Sequence, residues 1–246
     1  MIDFHTHPEG WGIYPLIKIG SLEISSYALF MALAIIVGFI LYRREAKKHK
    51  FSGDNSFYVV MGALIGGVLG AKIPVWIINL PTLISSFPNI TPILSGRTIT
   101  GGLIGGTLGV LYIKKKLKIK GRKGNLFAPA IALGMAIGRI GCFFAGCCYG
   151  KATSLPLGVN FGDGILRHPT QIYESIFMIG LFSYIQWKKG KNPKDGQLFT
   201  ILMVGYFSFR FLIEFIRAEP IIFLGLTFFQ YISLAVLAWF FIKEQR

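Results

Sequence analysis

Apolar residues in this chain come in blocks rather than in amphipathic stripes. Seven blocks, covering approximately residues 25–42, 57–78, 99–113, 126–144, 172–187, 198–216 and 223–242, carry few charges. Crossing a hydrocarbon core of roughly 30 Å takes about 20 helical residues. The pattern therefore predicts an all-α, polytopic membrane protein with about seven transmembrane helices. The third block is the shortest and is rich in glycine.

The first block follows a polar-to-mixed arm of 24 residues, has no basic stretch ahead of it, and ends in Arg43 and Arg44 rather than at a small-residue cleavage site. It reads as a retained helix, not a cleaved signal peptide. Basic loops resist translocation and stay in the cytoplasm. Residues 43–50, 114–123, 188–194 and 243–246 hold 18 of the 26 basic residues on one side, against five (Lys18, Arg97, Lys151, Arg167 and Arg217) on the other. This alternation puts the N-terminus outside and the C-terminus in the cytoplasm. Topology and the anionic lipid of the cytoplasmic leaflet account for the net charge of +15, so no nucleic-acid partner is implied. Residues 1–246 read as a single membrane domain, with an interfacial arm over 1–24 and an outer-side loop over 145–170 before the fifth span.

The remaining basic residues, Lys72, Arg139 and Arg210, fall inside the blocks, where a cation costs about 2.5–3.5 kcal/mol on insertion scales and usually faces a polar cavity. Gly134, Gly138, Gly141, Gly146 and Gly150 strip the backbone around Arg139, letting a helix or a ligand approach closely. Gly101, Gly102, Gly105, Gly106 and Gly109 do the same in the third block, either as a helix start offering N–H groups to an oxyanion or as a packing zipper. Arg210, Glu214 and Arg217 share one helix face. Glu214 neutralises one cation there and leaves a positive charge over, available to a phosphate. Ahead of the fifth block, Pro169 suits a first helical turn, Gln171 and Tyr173 lie near the interface, and His168 is a candidate acid or base.

Cys142, Cys147 and Cys148 lie together at the outer end of the fourth span, without the spacing of a zinc ribbon. His5, His7 and Glu9 in the arm are too few ligands for a metal site. No nucleotide motif is present, so neither a metal nor another cofactor is expected.

Taken in order, Tyr27; Gly70, Ala71 and Lys72; Gly101 to Gly105; Gly138, Arg139, Ile140 and Gly141; His168 to Glu174; Arg210, Ile213, Glu214, Phe215 and Arg217; and Gln230 resemble the motif set of the prolipoprotein diacylglyceryl transferase family along nearly the whole chain. The resemblance implies a multi-pass enzyme of the bacterial cytoplasmic (inner) membrane. Its reaction would move the diacylglyceryl group of phosphatidylglycerol to the thiol of a lipobox cysteine in a prolipoprotein, forming a thioether and releasing glycerol phosphate. Arg139 and Arg210 would hold the lipid phosphate, since fixed cations in a dry site favour a departing phosphate. Tyr27 would position the headgroup or assist proton transfer. Lys72, Gly101, Gly102, Gly138, Gly141, Gln171, Tyr173 and Glu214 would complete the lipid site.

The chain departs from the family pattern at Thr100, where a histidine is usual, and at Cys142, Ala145 and Cys147, where two asparagines and a glutamate are usual. These positions bear on acceptor recognition and thiol activation, not on the fold, and His168 is a candidate for the vacated base role. Two other functions fit the residues. A diverged paralogue would use another acceptor, or bind glycerolipid or a partner without catalysis, and a small transporter would run an anion path past Lys72, Arg139 and Arg210.

Overall fold

The computed structural model describes residues 11–244 apart from 21, 52, 79, 86–95 and 122. The His5, His7 and Glu9 tract and the basic residues Arg122 and Arg246 lie outside the described residues. Eight α-helices appear among those described: α1 (Ser26–Lys48), α2 (Asp54–Ile78), α3 (Leu80–Ser85), α4 (Ile99–Lys116), α5 (Gly124–Ala145), α6 (Thr170–Lys189), α7 (Gln197–Ile213) and α8 (Phe228–Glu244). A 3-10 turn, Glu214–Ile216, continues α7. Three short antiparallel hairpins lie between helices: β1 (Leu16–Ile19) with β2 (Leu22–Ser25), β3 (Val159–Asn160) with β4 (Leu166–Arg167), and β5 (Ile221–Phe223) with β6 (Leu226–Thr227).

Every helix except α3 coincides with one of the apolar blocks. Four of them, Ser26–Lys48, Asp54–Ile78, Gly124–Ala145 and Gln197–Ile216, are long and apolar enough to cross a membrane. Their outward faces are apolar too: Ile35, Ile36 and Phe39 on α1 and Leu64, Ile65 and Val68 on α2 are exposed. Two boundaries move from the expected positions. Helix α1 runs past Tyr42 through the basic residues to Lys48, because lysine, arginine and glutamate are good helix formers and Tyr42 and Ala46 are still buried. The last helix begins at Phe228 instead of residue 223, since Leu224 and Gly225 have φ of 46° and 73° and turn the chain between β5 and β6. Part of the expected arm over 1–24 is the β1–β2 hairpin.

The chain divides into two compact units, Ala46–Gly121 and, apart from the extreme N-terminus, His7–Glu45 with Arg122–Arg246. In Ala46–Gly121, α2 and α4 pack through facing glycines. A Cβ added at Gly66 would lie 2.3 Å from the Gly105 carbonyl oxygen, one at Gly105 2.2 Å from that of Gly66, one at Gly101 2.2 Å from that of Gly70, and one at Gly109 2.1 Å from that of Gly62. Backbones this close gain dispersion contacts along their length, which is how helices associate where apolar burial gives no drive. Thr98 caps α4, its Oγ accepting from Gly101 N at 3.2 Å while donating to the Ala71 carbonyl at 3.2 Å. Gly105→Leu is expected to destabilise the fold by at least the ~1–3 kcal/mol typical of overpacking, read as a lower thermal midpoint in detergent. Gly102→Ala, whose added Cβ meets nothing nearer than 3.6 Å, leaves the midpoint unchanged.

In the larger unit α5 is the central helix, with Ala128, Ala132 and Ala136 fully buried so that α6 and α7 can pack against it. Asn125 at the start of α5 donates to the Lys194 carbonyl and accepts from Leu198 N, both at 2.9 Å. Helices α5 and α7 therefore start at the same end. An ion pair between Glu45 and Lys189 joins the C-terminal ends of α1 and α6.

Candidate functional site

Polar side chains gather where α5 ends, α6 begins, and α7 gives way to α8. Helix α6 turns Thr170, Gln171, Glu174 and Ser175 to its buried face. Ser175 Oγ donates to the Ala136 carbonyl at 2.9 Å, which fixes α6 against α5 one turn before Arg139. Glu174 Oε1 then meets Arg139 Nε at 2.8 Å, with the two side chains 1% and 6% exposed. A charge this deep is tolerated only with a partner.

The second cluster forms where α7 tightens. Glu214 Oε2 lies 2.8 Å from Arg210 Nη2 and 3.6 Å from Arg217 Nε, and Glu214 Oε1 accepts from Thr227 Oγ1 at 3.0 Å. Gln230 at the start of α8 accepts from Thr227 N at 2.9 Å and donates to the Phe211 carbonyl at 3.3 Å. The Arg210 guanidinium sits 4.9 Å from the centre of the Phe229 ring. Arg217 is also paired with Glu219, Nη2 to Oε1 at 3.1 Å. The positive charge expected to be left over by Glu214 is thus matched, because the chain turns back after Arg217 and delivers a second carboxylate. What remains available is hydrogen-bonding capacity. Among the described residues Arg210 Nε and Nη1 and Gln171 Oε1 are buried without a hydrogen-bond partner. An orphaned buried donor costs about 1–3 kcal/mol.

The segment leaving α5 is held from several sides. Gly146 closes the helix in the left-handed region at φ 72°, and Cys148 follows at φ 62°. Gln171 Nε2 donates to the Cys147 carbonyl at 2.6 Å, and Thr170 Oγ1 and Arg217 Nη1 donate to the Cys148 carbonyl at 2.7 and 3.0 Å. Gly150 bridges to Arg217, where a Cβ would come within 2.6 Å of the Ile216 carbonyl oxygen and 2.7 Å of His168 Cβ. His168 is tied through its backbone, accepting from Gly150 N at 2.8 Å and donating to the Lys151 carbonyl at 3.1 Å. Its ring Nδ1 is 3.5 Å from the Tyr173 hydroxyl.

Tyr27 and Phe30 on α1 come close to Gly141, where an added Cβ would lie 2.7 Å from Phe30 Cβ and 3.5 Å from Tyr27 Cα. Gly138 has open space on its Cβ side. Lys72, Gly101 and Gly102 belong to Ala46–Gly121, and Gly101 there is tightly packed against Gly70 and Pro74. Sequence reading missed Glu174 as the partner of Arg139, Glu219 as the second partner of Arg217, and the clamping of the Cys147 and Cys148 carbonyls. A signal existed for the first: Thr170, Gln171, Glu174 and Ser175 recur at helical spacing, a polar stripe inside an otherwise apolar helix.

Beyond α5 the β3–β4 hairpin carries an exposed pair, Arg167 Nη1 to Asp163 Oδ1 at 2.6 Å. The hydrogen bond from Arg167 holds the Asp163 carboxyl below its usual range. Its contribution is complete above the unfolded value, about 3.9, and is lost as pH falls through the lower folded value. Hydrogen-exchange protection of the Ile165 amide, which donates to Asp163 Oδ1 at 3.2 Å, is expected to decline over that acidic window, and in Asp163→Asn the decline disappears.

Apolar helices and an enclosed ionic cluster together define a membrane protein that keeps its polar machinery among its own helices. The sequence pattern described as prolipoprotein diacylglyceryl transferase matches residues 15–242. Over 212 residues the chain is 37% identical to a phosphatidylglycerol–prolipoprotein diacylglyceryl transferase of Clostridium tetani, covering 83% of this chain and 85% of the relative. It is 33% identical to a relative of Clostridium perfringens whose name carries the number 2, covering 89% and 90%. It is also 33% identical to a relative of Dehalococcoides mccartyi, covering 93% and 92%. The chain belongs to the prolipoprotein diacylglyceryl transferase family.

Proposed function

We propose that this chain transfers the diacylglyceryl group of phosphatidylglycerol to the lipobox cysteine of prolipoproteins and releases glycerol phosphate. The observation that carries the reading is the pair of buried Arg210 donors, Nε and Nη1, without partners. A phosphate oxygen satisfies both. Arg139, held by Glu174, is the second fixed cation, and preorganised charge acts most strongly on a departing phosphate where water is excluded. Open space beside Gly138 leaves room for the lipid next to Arg139. Tyr27 positions the headgroup, and Gln171, Tyr173, Glu214 and Gly141 complete or support the lipid site. His168 takes the proton of the acceptor thiol.

In this reading the chain is one membrane domain with seven crossings, its N-terminus outside and its C-terminus in the cytoplasm, in the cytoplasmic membrane of a bacterium. A second reading, a paralogue with another acceptor or with lipid binding alone, is favoured by Thr100 and by the cysteines at 142, 147 and 148. The test is transfer of a labelled diacylglyceryl group from phosphatidylglycerol to a lipobox peptide by purified protein. Transfer is expected, and lipid binding without transfer would favour the paralogue. In the same assay His168→Ala is expected to slow transfer about 10²-fold or more, and a full rate disposes of His168 as the base.

A further inference from the structure

The three thiols, distant from any zinc-ribbon spacing in the sequence, converge in space. The sulfurs of Cys142, Cys147 and Cys148 all lie within 4.8 Å of one another. Cys142 and Cys147 are buried, and Cys148 is partly exposed and opens the cluster on one side. We propose that Cys142, Cys147 and Cys148 bind a zinc ion whose fourth position takes the acceptor thiol. The proposal rests on the transfer reading above and extends it to how the acceptor sulfur is activated.

Geometry argues for an ion. Zinc binds thiolate sulfur at about 2.3 Å in tetrahedral array, which asks for sulfur separations of about 3.8 Å, reached here by side-chain rotation of about an ångström. Three protein ligands with a fourth position open is the arrangement of catalytic zinc, as opposed to structural zinc. The backbone that presents the thiols is also fixed in advance. Cys148 holds a left-handed φ of 62°, a conformation that non-glycine residues keep only when their surroundings impose it. The imposing contacts are the Gln171, Thr170 and Arg217 hydrogen bonds to the Cys147 and Cys148 carbonyls. Outer contacts of this kind orient metal ligands.

Charge and chemistry agree with the placement. Three thiolates and a dication sum to one negative charge, and both Arg139 and Arg217 lie within electrostatic reach of Cys148. Position 100 is threonine, which cannot serve as a base at neutral pH. A thiol bound to zinc is deprotonated by the ion itself, and metal coordination is one of the established ways to activate a nucleophile. The acceptor thiol gives up its proton to His168 as sulfur binds the ion. The sulfur then forms a C–S bond at the glyceryl carbon, the C–O bond to phosphate breaks, and the electron pair leaves on the oxygen of glycerol phosphate. The thioether product is a weaker ligand and departs.

The experiment measures zinc by elemental mass spectrometry in protein purified in detergent without chelator, then replaces it with Co²⁺ and follows absorption. Close to one zinc per chain is expected, with Cys147→Ser and Cys148→Ser each lowering occupancy by more than about tenfold. The unmodified protein loaded with Co²⁺ guards against variants that fail to fold. Its tetrahedral thiolate bands are expected to shift on adding a lipobox peptide and to stay still with the peptide in which serine replaces the cysteine. A thiol-dependent shift without lipid transfer supports the ion site while sinking the transfer reading. Full transfer by chelated, metal-free protein sinks the ion site and leaves the transfer reading intact. Protein with no zinc and no Co²⁺ bands, its thiols free or joined in a disulfide, also overturns the proposal.

Discussion

Arg139→Ala protein, purified and mixed with phosphatidylglycerol and a lipobox peptide, is expected to transfer at least about 10²–10³-fold more slowly than the parent. The side chain is 6% exposed and its Nε is 2.8 Å from Glu174, so its position is set before any lipid arrives. Fixed charge of this kind needs no reorganisation as negative charge builds on the departing phosphate. Arg139→Lys is expected to recover little. An ammonium is a point charge on a flexible stem and reproduces neither the fork geometry nor the contact with Glu174. The informative measurement is the rate at saturating lipid: a change confined to the apparent affinity for lipid, with the maximal rate preserved, would mean that Arg139 only binds. The substitution also leaves the Glu174 carboxylate buried without its cation, so the thermal midpoint has to be recorded alongside the rate.

Glu214→Ala carries the largest expected loss of stability. Its carboxylate stands between Arg210 and Arg217 and accepts from Thr227, and its side chain is fully buried. Deleting it strands the Arg210 guanidinium in a low-dielectric interior and leaves Arg217 with Glu219 alone, and removing one partner of a buried pair costs about 3–5 kcal/mol. Thr227 loses its acceptor as well, loosening the turn that Gln230 and Thr227 make at the head of α8. The control is Glu23→Ala, which breaks the pair with Lys18 at 2.8 Å, where the side chains are 51% and 72% exposed. Exposed pairs contribute about 0–1 kcal/mol, so this variant is expected to melt with the parent. Similar melting of both variants would mean that the Glu214 cluster is wet and that Arg210 is not preorganised.

The helices were legible because each hydrophobic block is continuous over several helical turns, and four of the helices are long and apolar enough to cross a membrane, a constraint that acts on the sequence locally. Boundaries were less so. In the apolar run of 223–242 a lone Gly225 is the only mark of the turn, and Leu224 adds none, since a leucine at positive φ is set by the hairpin around it and not by its own preference. The candidate site was legible as a set of residues and not as a set of partners. Arg139 stood out because a buried cation is expensive, but which carboxylate compensates it depends on the rotation of α6 about its axis, and that is fixed by packing against Ala136. Glu214 was legible as the neutraliser of one cation on its helix face, and that cation is Arg210, one helix turn away. Glu219 was missed because its approach to Arg217 depends on the direction of the chain after the 3-10 turn. The convergence of the cysteines had the same origin: Gly146 reverses the backbone after α5, and sequence spacing alone does not register a reversal.

The Arg139–Glu174 pair has a consequence for how the protein enters the membrane. During synthesis α5 emerges first, carrying a guanidinium deep within an apolar segment, and its counter-charge arrives only when α6 has been made. Helix α5 alone is therefore a poor candidate for release into lipid, because a lone arginine near mid-bilayer is costly. The α5–α6 hairpin is the smallest segment in which that charge is already matched. The loop at 145–170, which joins the two helices, thus belongs to the insertion unit as much as to the mature site: its length and turns determine how soon the carboxylate can reach the guanidinium.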